Sequence, residues 1–188
     1  MTEAKELDQT RERMLRCALE LFTERGYEGA SIGMIASGMG LSKAAVSYHF
    51  RTKEDLLNAV VEPAFSDLNA YFDRWGTESL KPARRRQAIA EYVALLVKHR
   101  SLLAFLAKEG DRRNPEPVMR QWPLVGEKLE RLFGGDLTDL SERLYLAAVI
   151  RGLAIAPVNF PEVGDDDLRE HLQVAAERMF ARPRRRSA

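Results

Sequence analysis

The chain has 188 residues, of which 45% are hydrophobic and 30% are charged, and its formal net charge is +1. This length and composition can bury a full hydrophobic core, which excludes a largely disordered protein. The near-neutral balance excludes a protein that coats nucleic acid through bulk positive charge, so contact with a polyanion needs a local patch. Cys17 is the single cysteine, which excludes an intrachain disulfide and a four-cysteine metal site.

The N-terminal residues MTEAKELDQT contain no apolar signal region and no cleavage pattern. No window of the sequence approaches the ~20 apolar residues that a membrane-spanning helix needs. We therefore expect a cytoplasmic protein.

Apolar residues recur at helical spacing along the chain, and no stretch alternates like a β-strand. The sequence therefore predicts an all-α fold of about nine helices. The first helix is predicted over Gln9–Arg25 and is ended by Gly26. Ser31 is expected to cap a short second helix, and Ser42 a third helix that covers roughly Lys43–Phe50.

The fourth helix is predicted to begin with a capping box formed by Thr52 and Asp55. Pro63 lies inside it and predicts a bend near Ala59–Pro63. The remaining helices are predicted from Pro82 to about Arg100, from Ser101 to Gly110, over a segment to Phe133 interrupted by Pro123, over Asp139–Ala156 before Pro157, and over Asp165–Ala181.

Three consecutive aspartates at positions 165–167 suit either a cation site or a helix start, where carboxylates complement the helix dipole, and the helix start is the simpler reading. The terminal residues RPRRRSA are predicted to form a basic tail. A second DNA contact is the alternative for this tail.

A short segment has a charge pattern unlike that of the rest of the chain. Residues 29–53 contain Lys43, Arg51 and Lys53 and no acidic residue. Three short helices, with a glycine-containing turn before the third, are typical of a helix-turn-helix DNA-binding unit. The absence of acids prevents repulsion of the DNA phosphates.

The third predicted helix carries short or flexible outward residues near its start, which lets it enter the major groove. Lys43 can reach guanine acceptors, and the methyl groups of Ala44 and Ala45 can touch thymine methyls. Tyr48 and His49 lie at its end and Lys53 lies just past it, where all three can bind phosphate oxygens.

Residues 11–58, with the sequence RERMLRCALELFTERGYEGASIGMIASGMGLSKAAVSYHFRTKEDLLN, closely resemble the N-terminal domain of the tetracycline-repressor (TetR) family of bacterial regulators. The matching pieces are the helix Ala18–Phe22 with Glu24-Arg25-Gly26-Tyr27, the pair Ile35-Ala36, Gly40-Leu41-Ser42-Lys43, and Tyr48-His49-Phe50 followed by Lys53 and Leu56-Leu57. Three positions, Met39, Ala45 and Ser47, depart from the residues that are common in the family.

The resemblance implies a homodimeric repressor that binds a palindromic DNA operator and is released by a small-molecule effector, without a cofactor. It implies dimerisation through the last two helices, and their wide apolar faces support this independently. The predicted domains are a DNA-binding domain over residues 1–52, an effector-binding and dimerisation domain over residues 53–182, and the tail over residues 183–188. The predicted DNA-binding residues are Ser31, Ser42, Lys43, Ala44, Ala45, Ser47, Tyr48, His49 and Lys53.

The predicted effector-binding residues are mostly aromatic side chains of the later helices, and aromatic residues at helical spacing are more often ordinary core. They are Phe72, Trp75, Phe105, Met119, Trp122, Tyr145 and Asn159. An architectural or cell-cycle DNA-binding protein without an inducer is the alternative function. Catalysis is not expected, because the three histidines are far apart in sequence and no nucleophile or metal-ligand signature accompanies them.

Overall fold

The computed structural model describes residues 2–76, 79–109, 116–134 and 137–181. Within these residues the chain forms helices and no strand, which confirms the all-α prediction. The helices are α1 (Thr2–Gly29), α2 (Ile32–Gly38), α3 (Lys43–His49), α4 (Lys53–Trp75), α5 (Pro82–Lys98), α6 (Arg100–Glu109), α7 (Glu116–Gly134), α8 (Leu140–Asn159) and α9 (Asp165–Phe180).

The first helix begins earlier than predicted and has a kink at its predicted end. It begins at Thr2, and it continues to Gly29 across a kink at Gly26, whose φ is 77° and ψ is 161°. Gly26 is expected to take the left-handed conformation of a helix cap; its φ is positive as expected, which is open to glycine at little cost, but its ψ is extended and not left-handed helical. The prediction that a helix ends there is confirmed, because Gly26 is non-helical and separates the long helical segment before it from the single turn up to Gly29.

Two prolines that were expected to interrupt or end helices lie inside them. Pro123 lies within α7, and Pro157 lies within α8, which ends at Asn159. Only two residues follow Pro157 in α8, so the missing amide removes a hydrogen bond only from the last turn. The ring of Pro157 is also buried, which compensates for that loss.

The chain divides into two compact units. The first contains Met1–Phe65 and Ala104–Met119, and the second contains Ser66–Leu103 and Arg120–Ala188. Both α4 and α6 contribute residues to each unit, and the boundary in α4 falls two residues after Pro63. The predicted tail, residues 183–188, lies outside the described residues.

The core of the first unit is built where α1, α2 and α3 meet. Helices α4 and α6 complete this core. Its buried apolar residues are Met14, Ala18, Phe22, Ala30, Ile35, Ala36, Val46, Phe50, Leu56, Leu57, Val60, Val61, Ala64 and Phe105. The second unit has a larger buried cluster in which α5 packs against α8 and α9. In the described part of the chain, no helix is long and apolar enough to cross a membrane, and no group of three or more His, Cys, Asp or Glu residues could hold a metal ion.

Candidate nucleic-acid interface

Two serines fix the starts of the second and third helices. The Ser31 hydroxyl accepts a hydrogen bond from the Met34 amide at 3.2 Å, and the Ser42 hydroxyl accepts one from the Ala45 amide at 3.1 Å. Both confirm the predicted N-caps, which satisfy amides that a helix start leaves without partners. Gly40 forms the turn between the two helices with a φ of 66°.

One face of α3 is held in the core and the other is open to solvent. Val46 is fully buried and Phe50, directly after the helix, is 4% exposed, with the Arg11 guanidinium 5.4 Å from its ring centroid. Lys43 and Ala44 are exposed at the start of the helix, and Tyr48 is 81% exposed at its end. The burial of Val46 therefore orients the predicted DNA-reading face outward.

The other predicted residues of α3 are half-buried along the edge of this face. They are Ala45, Ser47 and His49, and the His49 ring meets the Tyr48 ring edge-on at 5.3 Å between centroids. Neither α2 nor α3 carries an acidic residue in its first turn. The exposed face can consequently approach phosphates without like-charge repulsion.

Lys53 makes contacts within the protein that the sequence does not predict. Its ammonium group donates hydrogen bonds to the carbonyl oxygens of Tyr27 at 2.9 Å and Ala30 at 3.4 Å, and it lies 3.7 Å from a carboxylate oxygen of Glu28. Its side chain is only 25% exposed. Lys53 thus ties the start of α4 to the link between α1 and α2, and its predicted phosphate contact stays a prediction.

The start of α4 has the predicted capping box. The Thr52 amide donates to the Asp55 carboxylate at 3.0 Å, and the Asp55 amide donates to the Thr52 hydroxyl at 2.9 Å. This reciprocal pair fixes where α4 begins, directly behind the end of α3. It therefore sets the spacing between the DNA-reading helix and the helix that leaves the first unit.

Part of α6 packs into the first unit. Phe105 is fully buried with its ring centroid 5.8 Å from that of Phe22, and the Lys108 ammonium donates to the Thr23 carbonyl oxygen at 3.2 Å. Phe105, predicted to line an effector site, is therefore a core residue of the unit that carries α3. Phe72, Trp75 and Tyr145 belong to the second unit.

The predicted effector residues of the second unit differ in their surroundings. Phe72 and Trp75 are buried in its core, and the Trp75 indole donates to a Glu91 carboxylate oxygen at 2.7 Å. Tyr145 is half-buried, and its hydroxyl donates to the Met179 carbonyl oxygen at 2.7 Å. Asn159 is exposed at the end of α8. The side chains of Met119 and Trp122 lie outside the described part of the structure.

A polar contact at the junction of α5 and α6 was not anticipated. Asp67 in α4 accepts hydrogen bonds from His99 at 2.6 Å and Lys98 at 2.7 Å. Burial of the carboxyl opposes its ionisation, but the hydrogen bonds and positive charges of Lys98 and His99 outweigh burial and lower the pKa of Asp67. No sequence signal marks this contact, because its members are about 30 residues apart.

Large apolar side chains remain exposed along the last two helices. On α8 these are Leu140, Leu144 and Ile155, on α9 they are Val174 and Met179, and Phe160 lies between the helices. Leu140 and Leu144 are more than 60% exposed. The spacing of the three α8 residues places them along one side of the helix. Together, the exposed apolar residues of α8 and α9 form an apolar strip.

The short helix α3 is capped by Ser42, anchored in the core by Val46 and acid-free on its outer face. This arrangement is typical of a helix-turn-helix domain. Residues 14–60 match the family model described as bacterial regulatory proteins, tetR family. The N-terminal part of the chain is therefore similar to the DNA-binding domain of the TetR family of bacterial regulatory proteins.

The comparisons extend to individual relatives. The HTH-type transcriptional regulator AcrR of Shigella flexneri is 34% identical over 64 residues, which cover 34% of this chain and 30% of that protein. The HTH-type transcriptional repressor NicS of Pseudomonas putida is 27% identical over 110 residues, which cover 56% of this chain and 50% of NicS. The chain therefore spans between about a third and a half of the length of these relatives.

The fold continues to match beyond the DNA-binding domain. A transcriptional regulator from Aquifex aeolicus superimposes with a TM-score of 0.67 and 19% identity, over 90% of this chain and 99% of that one. At this identity the likeness shows a shared fold.

Proposed function

We propose that the protein is a homodimeric transcriptional regulator that binds a palindromic DNA operator through α3 and releases it when a small molecule binds the second unit. The observation that carries the DNA-binding part is the exposed, acid-free face of α3 held outward by buried Val46. Lys43 and Ala44 at its start face the bases, while Tyr48 and His49 at its end face the phosphates.

The apolar strip on α8 and α9 supports the homodimer. Side chains such as Leu140, at 64% exposure, and Leu144, at 62%, lose contact with water when a second copy covers them. A two-fold axis through this strip pairs like surfaces and presents α3 twice. Two copies of α3 then read half-sites that are about 34–36 Å apart, one turn of the double helix.

Release by an effector is supported by the way the helices are shared. The second unit has the large buried aromatic cluster in which a mainly apolar molecule would be held. Both α4 and α6 contribute to this unit and to the unit that carries α3. An effector that favours one arrangement of these helices by about 1–3 kcal/mol changes operator affinity by 5- to 150-fold.

Repression is the proposed direction of control, since NicS, one of the relatives, is named a repressor. Operator occupancy by a dimer would then block transcription of the neighbouring gene, and the protein would act in the cytoplasm, where the chromosome lies. The effector acts as an inducer in this scheme.

Selection of bound sequences from random DNA duplexes tests the DNA-binding part. The expected product is a palindrome. Analytical ultracentrifugation is expected to show two chains bound to each duplex. A single chain on a non-palindromic site contradicts the dimer. Bound sequences without any consensus contradict a local regulator and favour an architectural protein.

A further inference from the structure

Tyr92, in the middle of α5, is a deeply buried polar side chain of the second unit that the function above does not use. It is 3% exposed, and its ring centroid lies 6.2 Å from that of Tyr71 and 6.1 Å from that of Phe133. The buried residues around it are aromatic and aliphatic, and charged side chains such as Lys128 and Arg84 contact the cluster at other rings, those of Phe72 and Trp75. A phenol hydroxyl is thus placed inside an aromatic and aliphatic core.

The hydroxyl of Tyr92 has no hydrogen-bond partner among the described residues. The neighbouring Tyr71 shows the usual arrangement, because its hydroxyl donates to the Ala88 carbonyl oxygen at 3.0 Å. Buried polar groups in folded proteins nearly always have a partner, and one left without any destabilises the fold. The two tyrosines therefore differ in what their hydroxyls do, although both rings are packed in the same cluster.

The Tyr92 hydroxyl stays protonated at all physiological pH values, because burial raises its pKa. A neutral phenol both donates and accepts one hydrogen bond. It can therefore bind a carbonyl oxygen of a ligand as a donor without placing a charge in the core.

We propose that the Tyr92 hydroxyl is the polar contact for the effector, which is a neutral and mainly apolar molecule with one hydrogen-bond acceptor such as a carbonyl oxygen. This inference rests on the effector-binding role of the second unit proposed above. The apolar cluster supplies most of the binding free energy, and Tyr92 selects for the acceptor. A carboxylate is disfavoured beside the Tyr92 hydroxyl, since the rings that flank Tyr92, those of Tyr71 and Phe133, carry no charge to pair with it.

The test uses the full chain and three probes of similar size: acetophenone, which carries a carbonyl acceptor, ethylbenzene, which lacks it, and benzoate, which is charged. Binding is measured by calorimetry and by the NMR shifts of tyrosines labelled with ¹³C at Cζ. Acetophenone is expected to bind most tightly and to shift the Tyr92 signal. The Tyr92→Phe variant is expected to weaken acetophenone binding about fivefold to tenfold and to leave ethylbenzene binding unchanged.

Tyr71→Phe is the matched control, because it removes a hydroxyl that already has a protein partner. It is expected to lower Tm while leaving the preference for acetophenone over ethylbenzene intact, whereas Tyr92→Phe is expected to keep or raise Tm. The proposal is overturned if acetophenone does not bind, if it binds both variants alike, or if benzoate binds more tightly. It is also overturned if Tyr92→Phe lowers Tm as much as Tyr71→Phe, since the hydroxyl then has a partner in the protein.

Operator binding without any probe is measured on the same samples. Loss of the acetophenone preference with intact operator binding contradicts the role of Tyr92 and leaves the regulator standing. Absence of operator binding in the unsubstituted protein contradicts the proposed function itself, whatever the probes do.

Discussion

The ammonium group of Lys53 lies 2.9 Å from the carbonyl oxygen of Tyr27 and 4.2 Å from the centroid of the Tyr27 ring. Both contacts favour a positive charge, since a carbonyl oxygen accepts its hydrogen bond and an aromatic face attracts a cation. The residue that begins α4 thereby holds the end of α1, 26 positions earlier in the chain. Lys53 thereby stabilises the unit that presents α3.

Replacing Lys53 tests this structural role. Lys53→Ala is expected to lower the free energy of unfolding by about 1–3 kcal/mol, because two carbonyl oxygens lose their charged donor. Urea unfolding followed by circular dichroism measures the change. Lys43→Ala is the matched control, since Lys43 is exposed on α3 and its loss should not affect stability. Equal stability of the two variants contradicts the structural role of Lys53.

Lys43 and Tyr48 are expected to affect DNA binding in different ways. Lys43→Ala should reduce the slope of log affinity against log salt by about 0.9 if its charge contacts a phosphate, and should alter base preference if it reads a base edge. Tyr48→Phe should weaken binding to all sequences equally and leave the salt slope unchanged, because the hydroxyl is neutral. Fluorescence anisotropy with operator and random duplexes at several salt concentrations distinguishes these outcomes. Unchanged affinity in both variants contradicts the proposed orientation of α3.

The homodimer prediction concerns the apolar strip on α8 and α9. Leu144→Glu places a charge at a residue that is 62% exposed in the single chain, so it should leave the monomer folded while preventing association. Sedimentation is expected to show dimers for the unsubstituted protein and monomers for Leu144→Glu. Leu124→Glu is the control, because Leu124 is 55% exposed but lies on α7. Dissociation by Leu124→Glu but not by Leu144→Glu would place the interface elsewhere.

The features of the fold that follow from neighbouring residues were predictable. The caps at Ser31 and Ser42 and the pair of Thr52 with Asp55 each join atoms three residues apart, so the sequence contains all of their determinants. The outward face of α3 was predictable for the same reason, because Val46 and Phe50 mark the buried side.

Contacts between distant segments were not predictable. The partners of Lys53 lie more than 20 residues away, and the packing of Phe105 against Phe22 joins residues that are far apart in the sequence. The sequence predicts a helix end at Pro157 because proline removes a backbone hydrogen bond from a helix. The burial of Pro157 in the core depends on residues distant in the sequence. The sequence does not distinguish Tyr71 from Tyr92. Only the structure shows that the Tyr71 hydroxyl has a hydrogen-bond partner in the protein.

The lowered pKa of Asp67 makes a prediction about the pH dependence of stability. A carboxyl with a folded-state pKa below its unfolded value of about 3.9 stabilises the fold above that pH, and this contribution is lost as the pH falls through the folded pKa. Asp67→Asn should therefore be less stable than the unsubstituted protein near about pH 7, with the difference shrinking towards about pH 3. Urea unfolding at a series of pH values measures this.

Asp73→Asn is the control for that experiment, since Asp73 is exposed on the same helix six residues later. Its stability should follow that of the unsubstituted protein at every pH, because an exposed carboxylate contributes little to folding. If Asp67→Asn also follows the unsubstituted protein, the hydrogen bonds from His99 and Lys98 do not stabilise the fold. A difference that grows on acidification would have the wrong sign and would contradict the lowered pKa of Asp67.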